Sequence, residues 1–254
     1  MPGDTLDEAS NSAGDGAGDG AGDGAGDGSA EGAGDHAGNV GPAIAGATDR
    51  AGTSDTTIAV VLAAGAGSRF HGGHHKLDSR VAGRTLAEHA IAAALASRLT
   101  PVVVVTGANR PVLTGELLEA QRAGMVLMVH NPHWSDGQST SLQVGIAAAD
   151  DLGADAVVVG LADQPFVLPA TWRAVANSTS PIAVATYDGR PRNPVRLHRS
   201  VWADLPDHGD TGARMLIRLR PDLVEQIPSP GSPADIDTLE DLRTWQSRSS
   251  TNSP

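Results

Sequence analysis

A glycine-rich turn and two cationic side chains follow the first long apolar run of the chain. Gly65 and Gly67 lie in the turn, and Arg69 and Lys76 come after it. Small residues let backbone amide groups approach a phosphate closely, and glycine adopts positive φ without steric cost. Arginine offers a bidentate fork and lysine a mobile point charge, a combination suited to a triphosphate. The sequence therefore predicts a phosphate-binding turn.

This turn differs from the two commonest nucleotide-binding loops. Phe70 occupies the position of the last glycine in the dinucleotide-binding fingerprint G-x-G-x-x-G. A Walker loop needs Gly-Lys-Ser/Thr, whereas Lys76 lies between a histidine and a leucine. His71, His74 and His75 have no acidic or cysteine neighbour, so we interpret them as part of an exposed loop rather than a transition-metal site.

Carboxylates occur at two places where they could meet a cation. Asp163 ends a buried apolar run, where a carboxylate is costly unless it is paired or metal-bound. Mg²⁺ prefers carboxylate and phosphate oxygens and usually takes only one or two protein ligands. Asp235 and Asp237 lie near the C-terminus as further candidates, followed by Thr238 and Asp241 in the spacing of a helix capping box.

Strand and helix patterns alternate between these motifs. Continuous runs rich in valine and isoleucine suit strands that are covered on both faces, which is the condition of a parallel sheet. The alternation predicts a three-layer α/β/α, doubly wound domain with a mostly parallel, Rossmann-like sheet and ligands beyond the carboxyl ends of its strands. The predicted strands are Thr57–Leu62, Pro101–Thr106, Met125–His130, Asp155–Leu161 and Pro181–Thr186, and the predicted helices are Thr85–Leu99, Val112–Ala123, Ser139–Ala149 and Pro169–Asn177.

Composition divides the 254 residues into three parts. Residues 1–55 hold eleven acidic side chains, one basic side chain and four copies of Ala-Gly-Asp-Gly, with little apolar surface to bury. Backbone entropy should keep such a segment unfolded, so we expect an acidic, disordered tail. Residues 56–247 form the predicted folded domain, and residues 248–254 are expected to be a disordered end.

Several functional classes are disfavoured by composition. The net charge of −12 comes mainly from the tail, and the folded part has no lysine or arginine runs, which argues against nucleic-acid binding. The chain has no cysteine, so disulfides, thiolate catalysis and thiolate metal sites are excluded. No apolar run is long enough to cross a bilayer, and no secretory signal is evident, so we expect no membrane association and a cytoplasmic location.

The turn has a recognisable family signature. Residues 62–76 resemble the L-A-x-G-x-x-x-R-[M/F]-x(n)-K motif of the MobA-like nucleotidyltransferases, and are most similar to the molybdenum cofactor cytidylyltransferase branch. The interval from Arg69 to Lys76 is longer than is usual in that motif.

Further blocks resemble the same family in the same order. Arg192 stands where the family usually has glycine, and Leu239 stands where it usually has proline. The four blocks are Asn131–Leu142, Leu161–Pro165, Tyr187–Val195 with Gly209–Arg214, and Ala234–Leu242.

The resemblance implies a role for each matching residue. The implied catalytic residues are Arg69, Lys76 and Asp163, and the implied metal ligands are Asp163 and Asp237. The implied nucleotide-binding residues are Leu62, Ala63, Ala64, Gly65, Gly67, Arg69, Lys76, Asn131, Gly137 and Ser141, and the implied acceptor-side residues are Asn193, Asp210, Arg214 and Asp235.

The implied reaction is nucleotidyl transfer with Mg²⁺ as cofactor. A nucleoside monophosphate would move from a nucleoside triphosphate, CTP in preference to GTP, to a phosphorylated acceptor such as molybdopterin cofactor, with release of pyrophosphate. The expected partners are the triphosphate, the small phosphorylated acceptor, and a molybdoenzyme or its chaperone.

Three alternatives remain open on the sequence. Residues 187–195 together with Trp202 also look similar to MobA-like chains described as NAD(P)H-dependent nicotine blue oxidoreductases. A second alternative transfers a nucleotide to a sugar phosphate on the same fold. A third is a non-catalytic nucleotide-binding regulator, which would not need the charge set of Lys76 and Asp163.

Overall fold

The computed structural model describes residues 55–68, 70 and 74–251, the last four of them by backbone alone. Apart from Asp55, the acidic tail predicted over residues 1–55 lies outside the described residues, as do Arg69 and His71.

Seven strands in the described part of the chain form one sheet, in which a single strand runs against the others. β8 is antiparallel to both of its neighbours, and the remaining pairings are parallel. In sheet order the strands are β5 (Val126–His130), β4 (Val102–Thr106), β1 (Thr57–Ala63), β6 (Ala156–Leu161), β8 (Arg190–His198), β7 (Ile182–Tyr187) and β9 (Val224–Pro228). A separate hairpin consists of β2 (Arg80–Val81) and β3 (Arg84–Thr85).

Helices cover both faces of this sheet. The first helix begins with the capping box of Thr85 and Glu88, in which each side chain accepts the backbone amide of the other residue. The helices are α1 (Leu86–Ala96), α2 (Gly115–Arg122), α3 (Gln138–Asp151), α4 (Pro169–Ala176), α5 (Arg214–Leu219) and α6 (Leu239–Thr251). α1, α2 and α4 contribute to the core on one face, and α3 and α5 to the core on the other.

The central strand β1 shows why the apolar runs fold in this way. Successive side chains of a strand point to opposite faces, so a strand buried on both sides must be apolar throughout. Residues of β1 alternate between the two cores: Ile58, Val60 and Leu62 on one face, and Ala59, Val61 and Ala63 on the other. The predicted three-layer, doubly wound and mostly parallel fold is thus confirmed.

The strand order places a crevice beside β1. β1 is hydrogen-bonded to β4 on one side and to β6 on the other, so the chain winds away from it in both directions. In open α/β sheets, ligands bind outside the carboxyl ends of the strands at such a switch point. The turn after β1 and Asp163 after β6 both lie at this place.

The hairpin between β7 and β8 was missed by the strand patterns. β7 turns back through Asp188 and Gly189, whose φ values of 51° and 73° are those of a two-residue hairpin turn. An Asp-Gly pair between apolar runs is itself a hairpin signal, and it was available in the sequence. The register of this hairpin shifts after Val184, where Asn193 and Pro194 leave the ladder.

A small third core anchors the C-terminal segment. Ile236 is fully buried with Phe70, Val81, Leu86 and Leu242, and the rings of Phe166 and Trp245 stack 3.8 Å apart beside it. The capping box of Thr238 and Asp241 opens α6 as predicted. The helix continues to Thr251, past residue 247, where the sequence predicts that the domain ends.

No helix among the described residues is both long enough and apolar enough to span a bilayer.

Gly160 in β6 leaves the space that Trp172 of α4 fills. A Cβ atom at position 160 would lie 2.5 Å from Cζ2 of that ring. We expect Gly160→Ala to lower the free energy of unfolding by about 1–3 kcal/mol, because overpacking forces the ring or the strand to shift. Denaturant unfolding monitored by circular dichroism measures this change.

A matched double variant tests the cause. Trp172→Phe shortens the ring and removes an indole nitrogen that has no hydrogen-bond partner in the described structure. Gly160→Ala should therefore cost clearly less in the Trp172→Phe background, and equal costs in the two backgrounds would contradict the packing argument.

Candidate active site

A cleft of about 410 Å³ opens at the switch point of the sheet. Its lining combines the turn after β1, the carboxyl end of β6, the amino end of α3 and the segment before α6. The described residues that line it are Leu62, Ala63, Ala64, Gly65, Ala66, Gly67, Lys76, Leu77, Trp134, Ser135, Gly137, Gln138, Ser141, Leu161, Asp163, Asp210, Arg214, Asp235 and Asp237.

The turn after β1 is held by its carbonyl groups. The carbonyl of Ala64 accepts the amide of Ala108 at 3.0 Å, and that of Gly67 accepts the amide of Phe70 at 2.8 Å. The carbonyl of Gly65 lies 3.1 Å from Nε2 of His75. Each of these bonds turns a carbonyl toward protein, which leaves the amide groups of the turn as the polar groups suited to face an anion.

Gly67 is needed where the turn meets the lysine segment. Its φ is +63°, and a Cβ atom there would lie 3.0 Å from Cβ of Lys76. Lys76 begins a short 3₁₀ helix, Lys76–Asp78, and its side chain is only 10% exposed. The absence of a side chain at Gly67 thus lets the turn after β1 and the lysine segment approach each other closely.

The ammonium group of Lys76 joins two carboxylates from distant parts of the chain. Nζ donates to Oδ2 of Asp163 at 2.7 Å and to Oδ1 of Asp237 at 2.9 Å. Burial acts to lower the pKa of Lys76, but the two aspartates outweigh it and hold the pKa above its ordinary value. The lysine is therefore a permanent positive charge at the base of the cleft, in contact with both residues predicted as metal ligands.

A backbone hydrogen bond of its neighbour Ile236 fixes the position of Asp235. The amide of Ile236 donates to the carbonyl of Asp163 at 3.1 Å, and Ile236 is buried in the third core. Because side chains alternate along an extended segment, Asp235 and Asp237 both turn toward the cleft. Nε2 of Gln164 donates to Oδ1 of Asp235 at 2.8 Å. Sequence reasoning did not assign this role to Gln164, whose position directly after Asp163 was the available signal.

The ionised form of Asp235 is disfavoured in this cleft. Partial burial raises the pKa of Asp235, and the negative charges of Asp163 and Asp237 raise it further, against the opposing effects of Gln164 and Lys76. The described lining holds four carboxylates and two cationic side chains, a formal net charge of −2. A triphosphate would be repelled by this lining unless a cation accompanied it.

Gly137 brings a second segment over the cleft. Its φ is +112°, and a Cβ atom there would lie 2.3 Å from the backbone of Gly209. The carbonyl of Gly209 accepts the amide of Ser139 at 2.8 Å, and Oδ1 of Asp210 accepts the amide of Gln138 at 3.3 Å. Asp210, predicted on the acceptor side, therefore also caps the amino end of α3.

Asn131 lies away from the cleft that it was expected to line. It is buried, its Nδ2 donates to Oγ1 of Thr140 and to Oγ of Ser141 at 2.9 Å each, and its Oδ1 accepts the amide of His133 at 2.9 Å. The two bonds from Nδ2 join the end of β5 to the start of α3, and the third holds the loop between them. Asn131 thus supports Ser141, which does line the cleft, and its contact with a nucleotide stays a prediction.

The acceptor-side residues separate into two groups. Arg214, exposed at the start of α5, lines both the cleft and a smaller side pocket that also contains Asn193. Asn193 is one of the two β8 residues that the register shift leaves without a ladder partner, and it lines the side pocket but not the main cleft. Arg214 makes no salt bridge with any side chain in the described part of the chain. Arg69 lies outside the described residues.

The donor set fits a divalent cation bound together with phosphate. Mg²⁺ commonly takes one or two carboxylates and fills its shell with water and phosphate oxygens. Asp163 and Asp237 supply such a pair. Burial is the main cause of the raised pKa of Asp235, and the negative charges of Asp163 and Asp237, which a cation would relieve, add to it. Within residues 55–68, 70 and 74–251, no group of three or more histidine, aspartate or glutamate side chains forms a complete protein-only metal site.

Solved structures share this fold. A nucleotidyl transferase from Methanothermobacter thermautotroptrophicus (Mth528) superimposes with a TM-score of 0.63 and 24% identity. The match covers 78% of this chain and 99% of the solved chain. Rv0371C of Mycobacterium tuberculosis H37Rv, in complex with manganese, matches 76% of the chain and 99% of its own, with a TM-score of 0.57 and 25% identity.

Sequence comparison gives the class and then the family. The model of the MobA-like NTP transferase domain matches residues 59–226, so the protein is a nucleotidyltransferase. More narrowly, the chain belongs to the MobA-like NTP transferase domain family. Purine catabolism protein PucB of Bacillus subtilis (strain 168) is 30% identical over 197 residues, which cover 72% of this chain and 93% of the relative.

Asp235 should cost stability in the folded state. A carboxyl whose pKa is raised by folding opposes folding once it is ionised, fully above its folded pKa and not at all below its unfolded value near 3.8. We expect Asp235→Asn to raise the melting temperature at pH 7–8, and the gain to vanish as the pH approaches that value. Thermal unfolding across this pH range measures the difference.

Asp241 provides the opposite control. Hydrogen bonds from Thr238 hold the pKa of Asp241 below its ordinary value, so its ionised form stabilises the fold at neutral pH. Asp241→Asn should lower the melting temperature under the same conditions. A loss of stability in both variants at pH 7 would contradict the charge argument for Asp235.

Proposed function

We propose that the cleft binds a magnesium complex of a nucleoside triphosphate and transfers its nucleoside monophosphate to a phosphorylated acceptor. The observation that carries this proposal is the double contact of Lys76 with Asp163 and Asp237, beside the phosphate turn. Triphosphate and cation must be bound side by side, and the contact brings a cationic side chain and two carboxylates to one point.

The turn and the lysine supply the anion-binding half. Amide groups of residues 64–67 are suited to the phosphate oxygens, since the carbonyls of Ala64, Gly65 and Gly67 face protein. Lys76 lies within reach of the same oxygens, and Arg69 is proposed to add a second positive charge. Leu62 and Ala63, at the end of β1, line the cleft and are proposed to contact the nucleotide.

Asp163 and Asp237 are proposed to hold Mg²⁺. When bound, the ion would neutralise charge on the phosphates and polarise the reacting phosphorus. The manganese complex of the M. tuberculosis neighbour supports a divalent cation on this fold. Lys76 contacts both of these carboxylates. Its positive charge would therefore lie close to the phosphates that accompany the ion.

The reaction needs no protein nucleophile. An oxygen of the acceptor phosphate forms a bond to the α-phosphorus, the bond from that phosphorus to the bridging oxygen of the β-phosphate breaks, and pyrophosphate leaves with the electron pair. The acceptor phosphate is already ionised at neutral pH, so no side chain must remove its proton. Fixed positive charge where negative charge develops, here Lys76, lowers the barrier.

The acceptor is proposed to enter from the side of Arg214. The guanidinium lines both the cleft and the side pocket, so it can hold the phosphate of an acceptor that lies in the cleft. We propose a phosphorylated acceptor such as molybdopterin cofactor, with CTP as the preferred donor. The molybdenum-related acceptor and the choice of CTP are proposals that rest on the motif resemblance.

The central prediction concerns Asp163. We expect Asp163→Asn to slow pyrophosphate release at least about 100-fold, because losing a metal ligand removes several kcal/mol of transition-state stabilisation. Steady-state assays with CTP and with GTP, over a range of Mg²⁺ concentration, measure it. Asp222→Asn is the matched control, since Asp222 pairs with Arg220 at the surface and should leave the rate unchanged.

The same assays separate the rival functions. Wild-type turnover by Asp163→Asn would overturn the metal assignment. Pyrophosphate release that requires a sugar phosphate would indicate the sugar-phosphate reaction, and oxidation of NADPH by a quinonoid dye without pyrophosphate release would indicate the oxidoreductase. Nucleotide-dependent thermal stabilisation without either reaction would indicate a regulator.

Arg214 should act on the acceptor rather than on the nucleotide. We expect Arg214→Ala to raise the KM for the phosphorylated acceptor about tenfold or more, the loss typical of one charged hydrogen bond, with a smaller effect on the KM for CTP. Arg218→Ala, on the same helix but outside the cleft lining, is the control. An equal effect of both variants would remove Arg214 from the acceptor site.

A further inference from the structure

His75 uses both nitrogens of its ring to join two parts of the cleft wall. Nδ1 accepts the amide of Leu77 at 3.2 Å, which caps the short 3₁₀ helix of Lys76. Nε2 lies 3.1 Å from the carbonyl oxygen of Gly65. Because Nδ1 is an acceptor, the proton is on Nε2, which donates to that carbonyl.

This ring connects the phosphate turn to the lysine across a long covalent interval. Residues 68–75 separate Gly67 from Lys76 in the chain, and a connection of that length does not by itself fix the distance between its ends. The hydrogen bond to Gly65 closes this interval at one end of the turn. At Gly67, an added Cβ atom would lie 3.0 Å from Cβ of Lys76, so the glycine lets the two segments approach this closely.

We propose that His75 is a positioning residue for nucleotidyl transfer, which sets the spacing between the phosphate turn and the ammonium group of Lys76. It acts through Gly65 and Lys76, since it lies behind the residues that line the cleft. The inference depends on the proposed position of the triphosphate between these two groups. The sequence by itself indicates only that the histidines of this loop are exposed.

Two conservative variants separate the two ring nitrogens. The amide of a glutamine reaches about as far as Nε2 and can donate to Gly65, whereas the oxygen of an asparagine takes the place of Nδ1 and can cap Leu77 alone. His75→Ala removes both bonds. We expect His75→Ala and His75→Asn to raise the KM for the nucleoside triphosphate about three- to tenfold, the change that one hydrogen bond accounts for.

His75→Gln should restore the KM for the triphosphate to within about twofold of the wild-type value, because it keeps the bond to Gly65. The KM for the acceptor should stay unchanged in all three variants. Initial rates with varied triphosphate and varied acceptor measure these constants. Calorimetric titration with the magnesium complex of a non-hydrolysable triphosphate gives its Kd, and a melting curve of each variant shows whether the fold is retained.

Each result supports or overturns the proposal. It is overturned if His75→Ala keeps the wild-type KM for the triphosphate, if His75→Asn performs as well as His75→Gln, or if the KM for the acceptor rises equally. Should His75→Ala fail to fold, the comparison of the glutamine and asparagine variants decides. Lys76→Ala is assayed in parallel: if it leaves triphosphate binding and rate unchanged, the proposed position of the triphosphate fails, independently of His75.

Discussion

One ammonium group shared by two carboxylates organises the whole cleft. Lys76, Asp163 and Asp237 come from three distant segments, and their contacts of 2.7 and 2.9 Å bring the turn after β1, the end of β6 and the segment before α6 to one point. A charge at this depth is tolerated because it is paired, and removing the lysine would leave both carboxylates uncompensated. The remaining features of the site serve to hold these three segments in place.

The C-terminal segment shows how apolar packing orients polar groups. Ile236 lies between Asp235 and Asp237 in the chain. Its side chain packs in the third core, while the two carboxylates line the cleft. The result is a lining with more negative than positive charge, in which Asp235 is held with a raised pKa. Sites that bind charged ligands often keep such unfavourable arrangements, because the ligand or its cation relieves them.

The two halves of the cleft are built differently. The half that we propose for the nucleotide consists of backbone groups and a small set of charges placed by the parallel part of the sheet, within the residues that match the family model. The half that we propose for the acceptor comes from Gly137, from the segment of Gly209 and Asp210 packed against it, and from Arg214, beside the antiparallel hairpin of β7 and β8. Relatives on one fold can therefore share a nucleotide chemistry while they differ in acceptor.

Sequence alone determined the layers of the fold, because buried parallel strands need unbroken apolar runs and these were visible. It also marked the turn, Lys76 and Asp163 by residue type and spacing. Tertiary structure decided which polar groups meet: Asn131 supports Ser141 instead of lining the cleft, Gln164 holds Asp235, and His75 closes the turn. Such pairings depend on strand order and on packing between distant segments, and local pattern carries no information about either.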